Sequence, residues 1–297
     1  MTKEKIPVYD ICSLQDEHGV QDDFLADRFS DYLEKHYSHL HSPHRHSFFH
    51  LVLFTKGKGE HTIDFHTYPV KALQLYCMVP GQVHSWHFTG TTDGYIINFS
   101  DRFFKSFLLN PHYIERFSFF SGISNEGIIQ IPSSSKDTVT GLFESIISTA
   151  KETREQRDMD KIRILLLQLF ILLEEKTPVL LNKSIPQQKM MLLRNLRKLI
   201  EDNYKYMRLP KQYAELLYVT PNHLNALCQD LIGKTAGELI RERVLLEAKR
   251  LLTNVNITAA EIAYELNFQD NSYFSRFFKK YSGYTPEAFR KQFDIKK

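Results

Sequence analysis

At 297 residues, with 42% hydrophobic residues and a formal net charge of +3, the chain has length for about two domains, each able to bury a core. Three scattered cysteines, Cys12, Cys77 and Cys228, exclude a disulfide framework and a cysteine-held metal cluster; no apolar run approaches the ~18 residues of a membrane span, and MTKEKIPVYD lacks the apolar core of a signal peptide, so a soluble, cytoplasmic protein with no membrane partner is expected. The charge is uneven: residues 187–297 hold 19 Lys and Arg against 12 Asp and Glu, whereas residues 1–186 hold 19 against 23, which points to a polyanion partner for the C-terminal part.

Residues 1 to about 40 are polar, acidic and poorly periodic, with an aromatic patch at Phe24, Phe29 and Tyr32, and read as a lead-in. From His44 the texture changes to short β-branched and aromatic runs broken by Gly57, Gly59, Pro69 and Pro80-Gly81. Such spacing predicts an antiparallel barrel or sandwich, extended by Tyr95 to Phe99. Alternation along HLVLF and GYIINF puts every second side chain inside, where Phe48, Tyr76, Trp86 and Phe88 offer aromatic walls. Two helices follow, about Asp137 to Thr153 and Asp158 to Lys176. In the second, Ile162, Leu166, Leu169 and Leu173 recur every three or four residues, and Leu165, Phe170 and Leu172 make it apolar nearly all round. One face is expected to pack on the barrel and another, with Leu166 and Leu169, to meet a second subunit. The proline-bearing run TPVLLNKSIPQQ reads as an interdomain linker.

The basic part begins with a helix over 189–203, whose inner face is expected at Leu192, Leu196 and Leu199. Thr220 and Pro221 open a helix that presents Asn222, His223 and Asn225. Thr235 with Glu238 caps the next, about Ala236 to Leu252, with an apolar stripe at Ile240, Val244, Ala248 and Leu251. Thr258 with Glu261 caps a third, with Ile262, Ala263 and Leu266 facing inward; Asn267 to Asp270 break it. The helix from about Asn271 carries Phe274, Phe277 and Phe278 on one side and Ser272, Ser275, Arg276, Lys279 and Lys280 on the others. Gly283 stops it, and Thr285-Pro286 opens one more. Ala214 and Ala263 match at an offset of 49, whereas Leu224 with Phe274, Gly233 with Gly283 and Thr235 with Thr285 match at 50. The segment is therefore an internal repeat of two helix-turn-helix units with one residue inserted in the second turn. A helix with one buried side and one basic, hydrogen-bonding side suits a DNA major groove.

The duplicated units, and above all NFQDNSYFSRFFKKYSGYTPEAFR, resemble the AraC-type transcription regulators over roughly the last hundred residues. The resemblance implies sequence-specific binding of double-stranded promoter DNA through Asn222, His223, Asn225, Asn271, Ser272, Tyr273, Arg276, Lys279 and Lys280, with activation of RNA polymerase as the usual outcome. The chain departs from the family at Ala226, Cys228, Gln229 and Asp230, where arginine, an aromatic residue and lysines are usual, so the first unit is short of positive charge.

PHRH together with VPGQVHSW, within residues 40 to 100, resembles the cupin-like barrel that many such regulators use as an effector sensor. It departs at Lys71-Ala72-Leu73, where the family often has a glycine, so a different turn is expected there. The fold class implied is α+β: residues 1–183 hold a cupin-like antiparallel β-barrel (about 40–100) and helices (about 137–176) for effector sensing and dimerisation, and residues 187–297 hold an all-α domain with two helix-turn-helix units. A small-molecule effector is expected against His44, His46, Phe48, His50, Tyr76, His84 and Trp86. His44, His46, His50 and His84 also follow the order of metal ligands in metal-binding cupins, with His50 where glutamate is usual. A metal-dependent cupin enzyme fused to a DNA-binding domain is thus the alternative; because the regulator branch keeps such histidines without metal, neither a cofactor nor enzyme activity is expected.

Overall fold

The computed structural model describes residues 7–14, 23–40, 42–105, 107–110, 113–152, 155–175, 186–254 and 256–294. The chain divides into two compact units, Pro7–Asn182 and Lys183–Lys297. Most of the expected linker, residues 177–185, lies outside the described residues. No described helix is long and apolar enough to cross a membrane.

In the first unit, the strands form two five-stranded sheets. One runs in the order β1 (Val8–Tyr9), β3 (His44–His46), β8 (Val83–Phe88), β5 (Gly59–Ile63), β6 (His66–Pro69); the other runs β10 (Ile128–Gln130), β7 (Gln74–Met78), β4 (Phe49–Lys56), β9 (Asp93–Phe99), β2 (Phe24–Arg28). All pairs are antiparallel except β1 with β3. The expected barrel is therefore a double-sheeted arrangement of the jelly-roll kind rather than a closed cylinder. Strand β4 explains the layering. Its first six residues are all buried, because alternate side chains enter two different cores. Leu51 and Leu53 join Phe99, Phe104, Phe143, Leu166 and Phe170 on one face, while Val52 and Phe54 join Phe48, Ile63, Tyr76 and Trp86 between the sheets. Gly94 lets β9 approach: a Cβ there would stand 1.9 Å from the Leu53 carbonyl oxygen.

The N-terminal stretch is not a lead-in. Phe24 lies on edge strand β2, while Phe29 and Tyr32 lie on helix α1 (Phe29–Leu40); all three are buried. Phe29 meets Phe54 of one sheet and Trp86 of the other edge-on, with centroids at 5.2 and 5.4 Å. Only one apolar residue of β2 is fully buried, so the strand shows no alternation to read. In the turn before β7, Leu73 adopts φ of 60°, the left-handed conformation a glycine would hold with less strain.

Helices α2 (Arg102–Lys105), α3 (Lys136–Glu152) and α4 (Gln156–Glu174) contribute to the outer core. The expectation that Leu166 and Leu169 meet a second subunit is overturned: both have 0% exposure, packed in their own domain's core. The apolar residues that α4 does expose are Ile164 and Ile171. Arg163 anchors the helix instead of facing water, donating from Nε to the Phe103 carbonyl at 2.8 Å and pairing with Asp160 at 2.6 Å.

The second unit consists of α5 (Gln187–Asn203), α6 (Pro210–Leu216), α7 (Pro221–Ile232), α8 (Ala236–Leu252), α9 (Ala259–Glu265), α10 (Asn271–Ser282) and α11 (Pro286–Asp294). The inner face of α5 is rotated from the expected one, with Leu193, Leu196 and Ile200 buried and Leu192 and Leu199 only partly covered. The stripe Ile240, Val244, Ala248 and Leu251 of α8 is buried as expected.

The burial of α4 makes a direct prediction. Leu166→Ala and Leu169→Ala should each destabilise the first unit by ~2–5 kcal/mol, read in the full chain from the emission of its single tryptophan, Trp86, during denaturation. A folded monomer with an unchanged midpoint would return these leucines to a subunit interface.

Candidate functional site

The two helix pairs of the second unit repeat in backbone detail. Thr220 Oγ1 accepts from the His223 amide to start α7, and Asp270 Oδ1 accepts from the Tyr273 amide to start α10. In the turns, Tyr218 and Asn267 both adopt φ of 55°, and the Val219 and Phe268 amides donate to the Ala214 and Ala263 carbonyls. Gly233 and Gly283 end the second helices with φ of 68° and 83°. Turn residues match at an offset of 49 and caps at 50, so the inserted residue lies between Asn267 and Asp270.

On α10, Asn271, Ser272, Tyr273, Arg276, Lys279 and Lys280 are all exposed, whereas Phe274 and Phe278 are buried and Phe277 is half-buried. On α7, Asn222 and His223 are exposed, but Asn225 is partly covered and its Oδ1 accepts from the Ala236 amide at 3.1 Å. Asn225 thus helps cap α8. Asp230 is paired with Lys189 at 2.6 Å, which offsets part of the charge deficit of the first unit. Tyr218 and Tyr264 stand out with exposures of 96% and 87%. No periodicity marks them, since each sits on or beside a turn.

Residues that sequence reasoning missed hold the two pairs together. Arg208, just before α6, donates to the Leu266 carbonyl at the end of α9, and its guanidinium lies 4.6 Å from the Phe268 ring centroid. Lys205 pairs with Glu265 at 3.4 Å. Arg243 of α8 grips Glu201 of α5 with two bonds of 2.5 and 2.7 Å, lies 3.9 Å from the Tyr204 ring centroid and reaches Glu247 at 3.0 Å. A planar guanidinium can stack and donate at once, so both arginines are structural joints. A lone arginine carries no sequence signal for this role.

In the first unit, the sheets bring together His44, His46, Phe48, His50, Tyr76, His84 and Trp86, all buried, and add His61. Register is the cause: His44 stands opposite His84, His61 opposite Trp86, and His50 opposite Asn98. His50 Nδ1 meets Asn98 Oδ1 at 2.7 Å, His61 Nε2 meets His84 Nδ1 at 3.1 Å, and His84 Nε2 meets His46 Nε2 at 2.8 Å. His61 escaped notice because it lies outside both histidine-bearing motifs. A shallow cleft of ≈ 350 Å³ opens nearby, lined by Ser30, Leu33, Glu34 and Tyr37 of α1 with Phe88, Gly90 and Thr92; of the aromatic walls expected from sequence it takes only Phe88.

Burial, followed by the neighbouring imidazoles, holds His46, His61 and His84 well below the usual 6.5; burial likewise lowers His50 to about 3 against the raising effect of Asn98. These rings are neutral in the folded unit but take protons in the unfolded chain, so the unfolded state binds more protons as pH falls below 6.5. Stability is complete above that value and is lost as pH falls towards the folded values, by up to ~1.4 kcal/mol per pH unit for each histidine. Denaturation followed by Trp86 emission in metal-free buffer between pH 8 and pH 5, limits chosen as roughly bracketing the free imidazole range, should show this slope. A flat profile would mean that the rings are not held neutral.

The family model described as an AraC-like ligand binding domain matches residues 30–170, and that described as a helix-turn-helix domain matches residues 213–292. Among relatives, the uncharacterised helix-turn-helix transcriptional regulator YijO of Escherichia coli is 29% identical over 98 residues, 33% of this chain and 35% of its own; the match thus spans about a third of that protein's length. The transcriptional activator AarP of Providencia stuartii is 26% identical over 115 residues, 39% of this chain and 85% of its own. The Msm operon regulatory protein of Streptococcus mutans is 24% identical over 248 residues, 82% and 83% of the two chains. With a ligand-binding module followed by the paired helix-turn-helix module, the chain belongs to the AraC-type family of helix-turn-helix regulators.

Proposed function

We propose that this protein is a sequence-specific DNA-binding transcription regulator, an activator whose first unit senses a small ligand. The observation that carries the reading is the pair of like helices, α7 and α10, each opened by a side-chain cap and closed by a left-handed glycine, with polar and basic residues on the exposed side. Two such helices suit successive major grooves on one face of a duplex, about 34 Å apart. Double-stranded promoter DNA is the partner, and RNA polymerase is the expected target of activation, in keeping with the name of AarP. A homodimer would use the exposed Ile164 and Ile171 of α4 rather than its buried leucines. The relatives reported above carry regulator names, which does not favour the metal-dependent enzyme.

Within α10, Asn271, Ser272 and Arg276 lie towards the N-terminal end and read bases; Lys279 and Lys280 lie about a turn later and hold phosphate. On α7, Asn222 and His223 are the readers, while Asn225 serves mainly α8.

Footprinting on the DNA flanking its own gene tests the reading as a whole, and no protected site would remove it. Within a protected site, Arg276→Ala should cost ~1–3 kcal/mol and relax preference at one base pair. Lys279→Ala should weaken all sequences alike and lower the salt slope by about one unit. Titrations at several salt concentrations separate the two, and an Arg276→Ala variant altered only in salt slope would make Arg276 a phosphate clamp.

Arg208→Ala, which removes the bond to the Leu266 carbonyl at the end of α9, should leave binding to one groove intact while shortening the footprint from two grooves to one. An unchanged two-groove footprint would show that α8 alone sets the spacing.

A further inference from the structure

Tyr218 is the most exposed of the large apolar residues in the second unit, at 96%. Among the described residues its ring and hydroxyl have no hydrogen bond or ring contact. It is nevertheless held with φ of 55°, in the left-handed region where a bulky residue is a steric outlier. Its counterpart in the second helix pair, at the offset of 49, is Asn267 with the same φ, and asparagine enters that region at less cost. The turn itself does not call for a ring. The amides of Tyr218 and Asn267 donate to the Glu215 and Tyr264 carbonyls at 3.2 and 2.9 Å, bonds that a glycine or an asparagine would supply with less strain. The phenol thus adds nothing to the packing of the second unit, and its backbone conformation costs stability. Strain kept without any gain in packing points to a role outside the chain.

The place of the residue limits what that role can be. Tyr218 stands between α6 and α7, just before Thr220, the cap of α7. In a helix-turn-helix the second helix enters the major groove while the first crosses the backbone of the duplex, so the turn between them runs past the phosphates at the groove edge. Tyrosine hydroxyls are among the donors that bind phosphate oxygens. The charge distribution leaves the first unit in need of such a donor. On α10, Arg276, Lys279 and Lys280 are exposed and form no ion pair among the described residues. From Leu217 to Ile232, by contrast, there is neither lysine nor arginine. Lysines around α7 are already engaged with carboxylates: Lys189 with Asp230 at 2.6 Å, Lys211 with Glu215 at 3.9 Å and Lys234 with Glu242 at 2.7 Å.

We infer that Tyr218 is a positioning residue of the DNA interface, whose hydroxyl donates to a phosphate oxygen at the edge of the groove that α7 enters and so sets the register of that helix without adding charge. The inference rests on the reading of α7 as a DNA-reading helix. It also separates the two units by the chemistry of their grip. Contacts from Lys279 and Lys280 release counterions and weaken as salt rises, whereas a neutral phenol releases none. The hold of the first helix pair on DNA is therefore the less sensitive to salt.

The test uses the full chain and a mixed-sequence DNA duplex, since a phosphate contact is blind to sequence. Tyr218→Phe keeps the ring and the backbone but removes the donor. It should bind ~3- to 10-fold more weakly, with an unchanged slope of affinity against salt. Lys279→Ala, measured beside it, should lower that slope by about one unit. Tyr218→Gly should lose as much affinity as Tyr218→Phe and yet melt no lower than the wild-type chain in circular dichroism, because glycine relieves the left-handed strain. A lower melting temperature for Tyr218→Gly would make the tyrosine a part of the fold and overturn the inference. So would a Tyr218→Phe variant that binds as the wild type does, or one altered in salt slope. A wild-type chain that binds no duplex removes the regulator reading and the inference together, whereas variants equal to a wild type that does bind remove Tyr218 alone.

Discussion

Strand β4 is buried on both faces, and the rest of the first unit depends on that constraint. A strand with one wet face needs a single core; β4 needs two, and the chain supplies them with a second sheet on one side and the helices α3 and α4 on the other. Because side chains alternate with period two, the same register that sends Leu51 and Leu53 to the helices sends His50, Val52 and Phe54 between the sheets. A slip by one residue would exchange these sets and put His50 among phenylalanines. Polar groups in the inner layer are therefore held by the apolar packing of the outer one.

In the second unit the constraint is different. Two short helix pairs are too small to bury a core alone, and α8 supplies the shared apolar stripe against which both rest. Burial is non-directional, however, and would allow rotation about that stripe. Directional contacts remove the freedom: Arg243 locks α8 to α5 through a two-pronged carboxylate contact, and Arg208 joins the end of α9 to the start of α6. The exposed residues of α7 and α10 then owe their spacing to arginines that face inward.

Much of the second unit was legible because its signals are local. Thr235 with Glu238 and Thr258 with Glu261 form capping boxes within four residues, glycines end α7 and α10, and the buried stripe of α8 follows helical period. The misreadings share one cause. The face of α5 is ambiguous in the sequence because Leu192, Leu193, Leu196, Leu199 and Ile200 satisfy two stripes equally well, and only the neighbours decide between them. The burial of Leu166 and Leu169 is not legible because an all-round apolar helix does not say which of its faces its own domain covers. The N-terminal stretch carries little periodic signal because an edge strand and a single-faced helix bury few residues each.

The sequence by itself determined the helices of the second unit, the capping boxes at Thr235 and Thr258, the duplicated helix pairs and the basic character of the C-terminal part, since all of these follow from residues within a turn or two of one another, from a repeat along the chain or from counting charge. The resemblance of PHRH and VPGQVHSW to a cupin-like barrel grouped His44, His46, His50 and His84 as a set. The tertiary structure alone decided that His61 joins them, that Asn225 turns inward to cap α8 and that Arg208 bridges the pairs. Each of these depends on contacts between residues 11 to 58 positions apart, distances over which chain periodicity says nothing and only strand register and helix packing bring side chains together.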